Sequence, residues 1–149
     1  MAIFDAMFNF SGGQTATGQV LTTAAASEDI LDWTLADLEM GAGQPLWLNV
    51  RVGTVFAGGT NLTVALVQDT AAPVDGSSIV IWQTAAIATA SLTAGAWIIR
   101  MPLPYNVDEA RIMGLYYTMT GTYTGGSIHA WLDNGPQSSF DTQVTTSNI

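Results

Sequence analysis

The stretches Leu46–Val52 (LWLNVRV) and Asn61–Gln68 (NLTVALVQ) decide the fold class, because their side chains alternate with a period of two. In the first stretch leucine and valine occupy every second position, with tryptophan, asparagine and arginine between them. In the second, Leu62, Val64 and Leu66 share one face, and threonine, alanine and valine share the other. Successive side chains of a β-strand point to opposite faces of the sheet. Both stretches are therefore predicted to be strands.

Further runs with the same alternation lie on both sides of these two. Glycine, proline and aspartate separate many of the runs, as turns require, and Gly125 and Gly126 divide two runs in the manner of a β-hairpin. About eight strands with almost no helix predict an all-β fold, a jelly-roll-like β-sandwich. The other predicted strands are Phe4–Phe10, Ser78–Thr84, Ala96–Met101, Arg111–Met119 and Ser127–Asp133, with weaker ones at Gln19–Thr23 and Asp29–Thr34.

The segment Ser27–Met40 (SEDILDWTLADLEM) is compatible with two structures. Its leucines have helical spacing, and Ser27 could cap the N-terminus of a helix. The same segment also contains Leu31, Trp33 and Leu35 in strict alternation with Asp32 and Thr34. A short strand followed by an irregular turn agrees better with the β character of the rest of the chain, so this is the structure we predict.

Composition limits the classes of function. The chain has 149 residues and a net charge of −9, and its three cationic side chains are all arginines, since lysine is absent. Schiff-base chemistry and a phosphate-binding loop both depend on lysine, so they are excluded. Three scattered arginines cannot form a nucleic-acid-binding stripe or attract an anionic membrane. Without cysteine, disulfides and thiolate metal sites are excluded as well.

Residues suited to catalysis are few. His129 is the only histidine, and it is predicted to lie mid-strand on the same face as Trp131. No nucleophile motif accompanies it, so we expect a structural role with a satisfied hydrogen bond. Five carboxylates lie between Glu28 and Glu39 with no cation among them. A carboxylate pair could support glycoside hydrolysis, but a solvated acidic loop is the interpretation that we favour. No metal, cofactor or catalytic residue is predicted.

The five tryptophans and three arginines all lie in or beside predicted strands. Tryptophan on a strand can belong to the core, to a protein interface or to a platform that stacks on sugars, and the sequence leaves these alternatives open. An arginine among apolar neighbours needs a carboxylate or carbonyl partner. Arg51 shares a strand face with Trp47, which favours an interface there, although an intramolecular ion pair is equally compatible with the pattern.

The chain is expected to be soluble and to form one domain, residues 1–136, followed by a polar arm, residues 137–149. The N-terminus lacks the basic region of a signal peptide and carries Asp5. In the arm, Phe140 and Val144 are the only sizeable apolar side chains. Since such ends normally fray, we expect a neighbouring chain to hold both of them.

The order of several motifs resembles that of the small capsid cement (decoration) proteins of tailed bacteriophages. The likeness runs from about Ile3 to Gln137 and depends on the order and spacing of the motifs, since each one alone is only a strand with a turn. The motifs are PLWLNVRV at Pro45–Val52, LTVALVQDT at Leu62–Thr70, ASLTAGAWIIRMPLP at Ala90–Pro104, RIMGLYYTMTG at Arg111–Gly121 and AWLDNGPQ at Ala130–Gln137.

The resemblance implies a non-enzymatic jelly-roll protein that binds the outer surface of an assembled phage capsid. Such a protein bridges major capsid protein subunits, acts as a dimer or trimer, and needs no cofactor, nucleic acid or membrane. It would be made in the host bacterial cytoplasm and end in the virion. A carbohydrate-binding jelly roll, with a receptor-binding or adhesion role, is the alternative. The residues expected to contact the capsid or a sister subunit are Phe4, Phe8, Phe10, Trp47, Arg51, Phe140 and Val144.

Overall fold

Antiparallel β-strands make up nearly all of the regular structure. The computed structural model of the chain describes residues 8–13, 15–32, 46–104 and 110–135. The described residues contain no α-helix, and the 3-10 turn Thr89–Ser91 lies between two strands. The strands are β1 Asn9–Ser11, β2 Gln19–Val20, β3 Ala25–Ala26, β4 Leu31–Asp32, β5 Trp47–Val52, β6 Ala57–Gly58, β7 Asn61–Asp69, β8 Ile79–Gln83, β9 Ile87–Ala88, β10 Trp97–Pro102, β11 Ile112–Thr120, β12 Tyr123–Gly125 and β13 Ser127–Asp133.

The long strands form two sheets. Sheet A has the order β1-β13-β5-β10, with β2 also pairing with β13, and sheet B has the order β3-β11-β7-β8, with β4 on β11 and β9 on β7. A third, two-stranded sheet joins β12 and β6. All four N-terminal strands pair with β11 or β13, which come from the last third of the described chain.

The core lies between the two sheets, where it receives alternate residues of each long strand. Leu48, Val50 and Val52 of β5 are fully buried, as are Leu62, Val64 and Leu66 of β7. These are the faces that the period of two predicts to be apolar. Fully burying one such side chain contributes about 1.5–3 kcal/mol. Other members of the same cluster are Phe10, Leu21, Phe56, Leu92, Ile99, Met113, Leu115, Tyr117, Tyr123, Ile128 and Leu132.

The opposite face of β7 is also covered. Ala65 and Val67 pack with Val74 and Ile112 in a second, smaller cluster, against which Tyr116 is partly buried. Val74 comes from the loop that joins β7 and β8. Sheet B is therefore apolar on both faces in its middle, with the smaller cluster on the side away from sheet A.

One buried hydrogen bond joins the two sheets through the core. Ser11 Oγ on β1 lies 2.6 Å from Tyr117 Oη on β11. Burial raises the pKa of Tyr117, while the Ser11 hydrogen bond acts in the opposite direction. The phenol is therefore neutral at neutral pH and can hydrogen-bond to Ser11.

The prediction of an all-β, jelly-roll-like sandwich is confirmed. The weaker runs contain the two-residue strands β2 and β4. Because β4, Leu31–Asp32, pairs with β11, the predicted short strand is present there, and residues 27–30 form no helix. Residues 33–40 lie outside the described ranges. Within those ranges, no helix is long and apolar enough to cross a membrane.

The expected hairpin at Gly125 and Gly126 is wrong. The strands on either side of these glycines do not pair with each other, because β12 pairs with β6 and β13 lies in sheet A. Gly126 adopts a φ of +142° and lies directly against the Phe56 ring. The chain passes here from the two-stranded sheet of β12 and β6 into sheet A, instead of folding back on itself.

Candidate assembly surfaces

Trp47 and Arg51 lie on β5, on the face of sheet A that points away from the core. Both side chains are half-buried, and they alternate with the core residues Leu48, Val50 and Val52. Trp47 has Asp133 and Pro102 as its cross-strand neighbours, and Arg51 has His129 and Trp97. The predicted shared face is therefore confirmed, but the aromatic partner of Arg51 is Trp97.

Two of the three arginines converge on one indole. The guanidinium carbon of Arg51 lies 5.8 Å from the centre of the Trp97 ring, and that of Arg100 lies 5.0 Å from it. Arg51 Nε also donates a hydrogen bond to the Gly95 carbonyl at 3.2 Å. Cation–π contacts at this range stabilise both groups, more strongly for tryptophan than for other rings. The carbonyl partner expected for a strand arginine is present at Arg51.

Trp97 and Trp131 do not present two open, parallel faces on which a sugar could stack. Trp97 and Trp131 lie 5.8 Å apart with their planes tilted by 54°, and Trp131 is 2% exposed. A stacking platform needs aromatic faces open to the ligand. Trp82 is partly buried against the core, and Trp33 lies outside the described residues. The geometry of this pair therefore gives the carbohydrate alternative no support.

The third arginine is neutralised within the chain. Arg111 donates from Nε and Nη2 to the two carboxylate oxygens of Asp32, both at 2.6 Å. This hydrogen bonding lowers the pKa of Asp32 and raises that of Arg111. Asp32 is thus not merely solvated, as the acidic-loop interpretation had it, because β4 and β11 bring a cation from a distant part of the sequence beside it.

The carboxylates at the end of β7 are held by local hydrogen bonds. Ser78 Oγ donates to Asp69 Oδ2 at 2.7 Å, and Ser77 Oγ donates to Asp75 Oδ1 at 2.6 Å. These contacts lower the pKa of both carboxyls, whereas a general acid in glycoside hydrolysis needs a raised one. The described ranges also contain no group of three or more histidine, aspartate or glutamate residues arranged to hold a metal ion.

The other predicted contact residues belong to the chain ends. Phe10 is fully buried and Phe8 partly buried against the same core. In this conformation Phe10 therefore leaves no surface for a partner, and its side chain stabilises the sandwich itself. Phe4, Phe140 and Val144, as well as the whole arm 137–149, lie outside the described residues, so their contacts stay predictions.

Sequence reasoning missed a surface that the strand order reveals. No charged residue lies between Asp75 and Arg100. This stretch, residues 76–99, is called the uncharged edge segment below. It contains β8, which ends the strand path of sheet B, and the first half of β10, which ends that of sheet A. Ile79 and Val80 on β8 are 48% and 53% exposed, among the most exposed large apolar side chains described.

The remainder of the segment exposes small apolar side chains beside uncharged polar ones. Five alanines are exposed there, Ala85, Ala86, Ala88, Ala90 and Ala94. The pairing of β8 with β7 shifts between Leu66 and Val67, and beyond this irregularity the adjacent residues Ile79 and Val80 are both exposed. A signal for this surface was present in the sequence, because the run without charge can be read directly, but its place at two sheet edges could not be.

Comparison with known proteins places the chain in a family. The family model named Bbp16 matches residues 15–132, which is most of the chain. The chain belongs to the Bbp16 family. The family name is associated with bacteriophages, so the match is consistent with a phage protein. The match includes Trp47, Arg51 and the whole uncharged edge segment, and it excludes the terminal residues predicted as contacts. No curated protein matches the chain.

Proposed function

We propose that this Bbp16 member is a non-enzymatic capsid cement protein that binds the outer surface of an assembled phage head and bridges major capsid protein subunits. The observation that carries the proposal is the uncharged edge segment, with Ile79 and Val80 exposed on β8. Proteins that stay monomeric normally protect sheet edges with charged side chains, above all lysine. An edge without such protection is suited to contact another chain.

The physical basis of binding would be the burial of weakly polar strand surface. Removing apolar surface from water contributes about 25 cal/mol per Å². Many copies on one shell can strengthen it even when each contact is modest, since the contacts act together. Capsid protein and sister copies, in a dimer or trimer, are the proposed partners of this surface and of the half-buried Trp47 and Arg51.

The charge of the chain supports a position on the outside of the shell. A net charge of −9 opposes contact with packaged DNA. The phage association of the family and the all-β sandwich also agree with the resemblance to cement proteins. No site for a reactive group is needed for this function, because the protein would act through contact area alone.

Substituting Val80→Lys tests the proposed surface. We expect the affinity for empty phage heads to fall at least about tenfold, because a lysine buried in an apolar contact loses its hydration. The free energy of unfolding of the isolated protein should change by about 0.5 kcal/mol or less, since Val80 is exposed. Co-sedimentation with heads that lack the protein measures the first effect, and urea denaturation measures the second.

Val20→Lys is the matched control for this experiment. Val20 is 66% exposed on β2, outside the uncharged edge segment, so the same change of charge is made on another strand. We expect its binding to heads to equal that of the unchanged protein. Full binding by the Val80→Lys variant would refute the proposed surface. Retention of the protein on a sugar-coupled resin, without binding to heads, would support the carbohydrate alternative instead.

Deleting residues 137–149 tests the predicted arm. All described strands end before this segment, β13 at Asp133, so the shortened protein is expected to fold and to melt as before. We expect it to bind heads more weakly, or to protect them less against heat, because Phe140 and Val144 would no longer contact a neighbour. Unchanged occupancy and unchanged melting of the particles would contradict a role for the arm.

A further inference from the structure

The backbone at three glycines packs closely against the His129 ring. It lies in the middle of β13 and is 4% exposed. The residues between β1 and β2, positions 12, 13 and 15–18, are here called the glycine loop. An ideal Cβ on Gly12 would lie 2.7 Å from His129 Nδ1, one on Gly18 3.2 Å from Nε2, and one on Gly53 3.1 Å from Cδ2. Only glycine leaves room for the imidazole at these places.

Other parts of the molecule hold the glycine loop in this position. The Gly12 amide donates to Glu28 Oε2 at 3.1 Å, and the Thr17 carbonyl accepts a hydrogen bond from Ser127 Oγ. Within the loop, the Thr15 amide and hydroxyl both donate to the Gly12 carbonyl, at 2.9 and 2.8 Å. These contacts place the backbone directly over the ring, so that water reaches it only when the loop moves.

Among the residues that the structure describes, two charged side chains lie near His129 or the loop over it. Arg51 on β5 is its cross-strand neighbour, and Glu28 reaches the far side of the loop at Gly12. The loop itself has no ionisable side chain, and β10 adds the Trp97 ring beside Arg51. Burial first, and then Arg51, hold the pKa of His129 below its usual value, while a hydrogen bond with the Ala16 backbone acts in the opposite direction.

We propose that the glycine loop is an acid-sensitive element, which packs over His129 while the imidazole is neutral and opens when the imidazole takes up a proton. A charged imidazolium under this loop would be cut off from water and held beside the permanent charge of Arg51. Opening the loop hydrates the ring at the cost of a few local contacts, which is less than unfolding the sandwich requires.

The direction of the pH effect follows from the two states. In the open state His129 titrates near its ordinary value of about 6.5, and in the closed state it titrates lower. The open state therefore binds more protons, so closure is fully favoured above about pH 6.5 and weakens as the pH falls below it. The lowered pKa values of Asp32, Asp69 and Asp75 affect stability only at still lower pH, below about 4.

Hydrogen exchange across this pH range tests the proposal on the full-length protein. With rates corrected for intrinsic exchange, we expect protection of the amides at positions 12, 13 and 15–18 to fall about tenfold between about pH 7.5 and about pH 5. Protection in β7 and β11 should stay constant. His129→Gln should abolish the pH dependence in the loop. A loop whose protection does not change with pH, or changes equally in His129→Gln, would overturn the proposal.

If the His129→Gln variant fails to fold, a second measurement tests whether protonation of His129 opens the glycine loop. The single imidazole can be titrated by NMR in Arg51→Gln and in Arg111→Gln, which remove the same charge from different places. We expect the pKa of His129 to rise in Arg51→Gln and the pH dependence of loop protection to shrink with it. Arg111→Gln should change neither, since Arg111 pairs with Asp32. Equal behaviour of the two variants would refute the proposal.

Discussion

The Gly126→Ala substitution is expected to lower the free energy of unfolding by about 2–4 kcal/mol, through overpacking together with backbone strain. A Cβ at this position would lie 2.2 Å from Phe56 Cδ1 and 2.4 Å from Cγ, and the φ of +142° is one that alanine rarely adopts. The Phe56 ring cannot move aside easily, because it is 4% exposed and packs edge-on against Tyr123 at 5.8 Å. Urea denaturation measures the loss.

The adjacent Gly125 supplies the control. No heavy atom lies within 4 Å of the place where its Cβ would be. We expect Gly125→Ala to change the free energy of unfolding by about 0.5 kcal/mol or less, as is usual for surface positions. If both alanine variants lost the same stability, contact with Phe56 would not be the cause, and the crossing between sheets at Gly126 would need another explanation.

The Leu66→Ala substitution should lower the free energy of unfolding by about 2–5 kcal/mol, the usual range for a large-to-small change in a core. Leu66 is fully buried at the middle of β7, with Leu115 and Trp82 as its cross-strand neighbours. The strands on both sides hold it in place, so the cavity left by the substitution can collapse only in part. Thermal or urea unfolding of the isolated protein measures the effect.

Ile79→Ala removes the same number of carbon atoms from the adjacent strand. Ile79 is 48% exposed on β8 and pairs with Gln68. Its loss should therefore cost about 0.5 kcal/mol or less. Similar losses in the two variants would show that β8 is as important to the core as β7. That result would also argue against β8 as a surface kept for a partner.

The long strands could be predicted because a period of two is a local property of the sequence. Ser127–Asp133 is a strand with the predicted bounds, and Asn61–Asp69 extends the predicted run by one residue. Pairing is not local, and for this reason the hairpin at Gly125 and Gly126 was wrong. Nothing in that stretch of sequence shows that β12 pairs with the distant β6.

Coverage of a sheet face is likewise set by residues outside the strand itself. The alternation in β7 separates Leu66 from Val67, but it does not show that both are buried. Val67 is buried because the loop after β7 places Val74 in contact with the same cluster. A sequence pattern assigns side chains to faces, and the loops then decide which faces meet water.

In the candidate surfaces, too, the local pattern could be predicted from the sequence, whereas contacts between strands could not. Arg51 was predicted to lie with Trp47 on one strand face, and it does, but the ring beside its guanidinium is Trp97 of β10. That contact depends on the register between β5 and β10. The run without charge between Asp75 and Arg100 can be read directly from the sequence. Only the strand order shows that it forms the edges of two sheets.

The pairing of β1 to β4 with β11 and β13 alone has a consequence for synthesis. As the chain leaves the ribosome, its first strands have no partner until residues 112–133 have followed them. Pairing between such distant segments is slow, because a long loop must close first. The N-terminal strands can therefore join their sheets only after β11 and β13 have been made, whereas β5 can pair with β10, and β7 with β8, earlier. A prematurely terminated product without β13 leaves β1 and β2 unpaired and open to proteolysis.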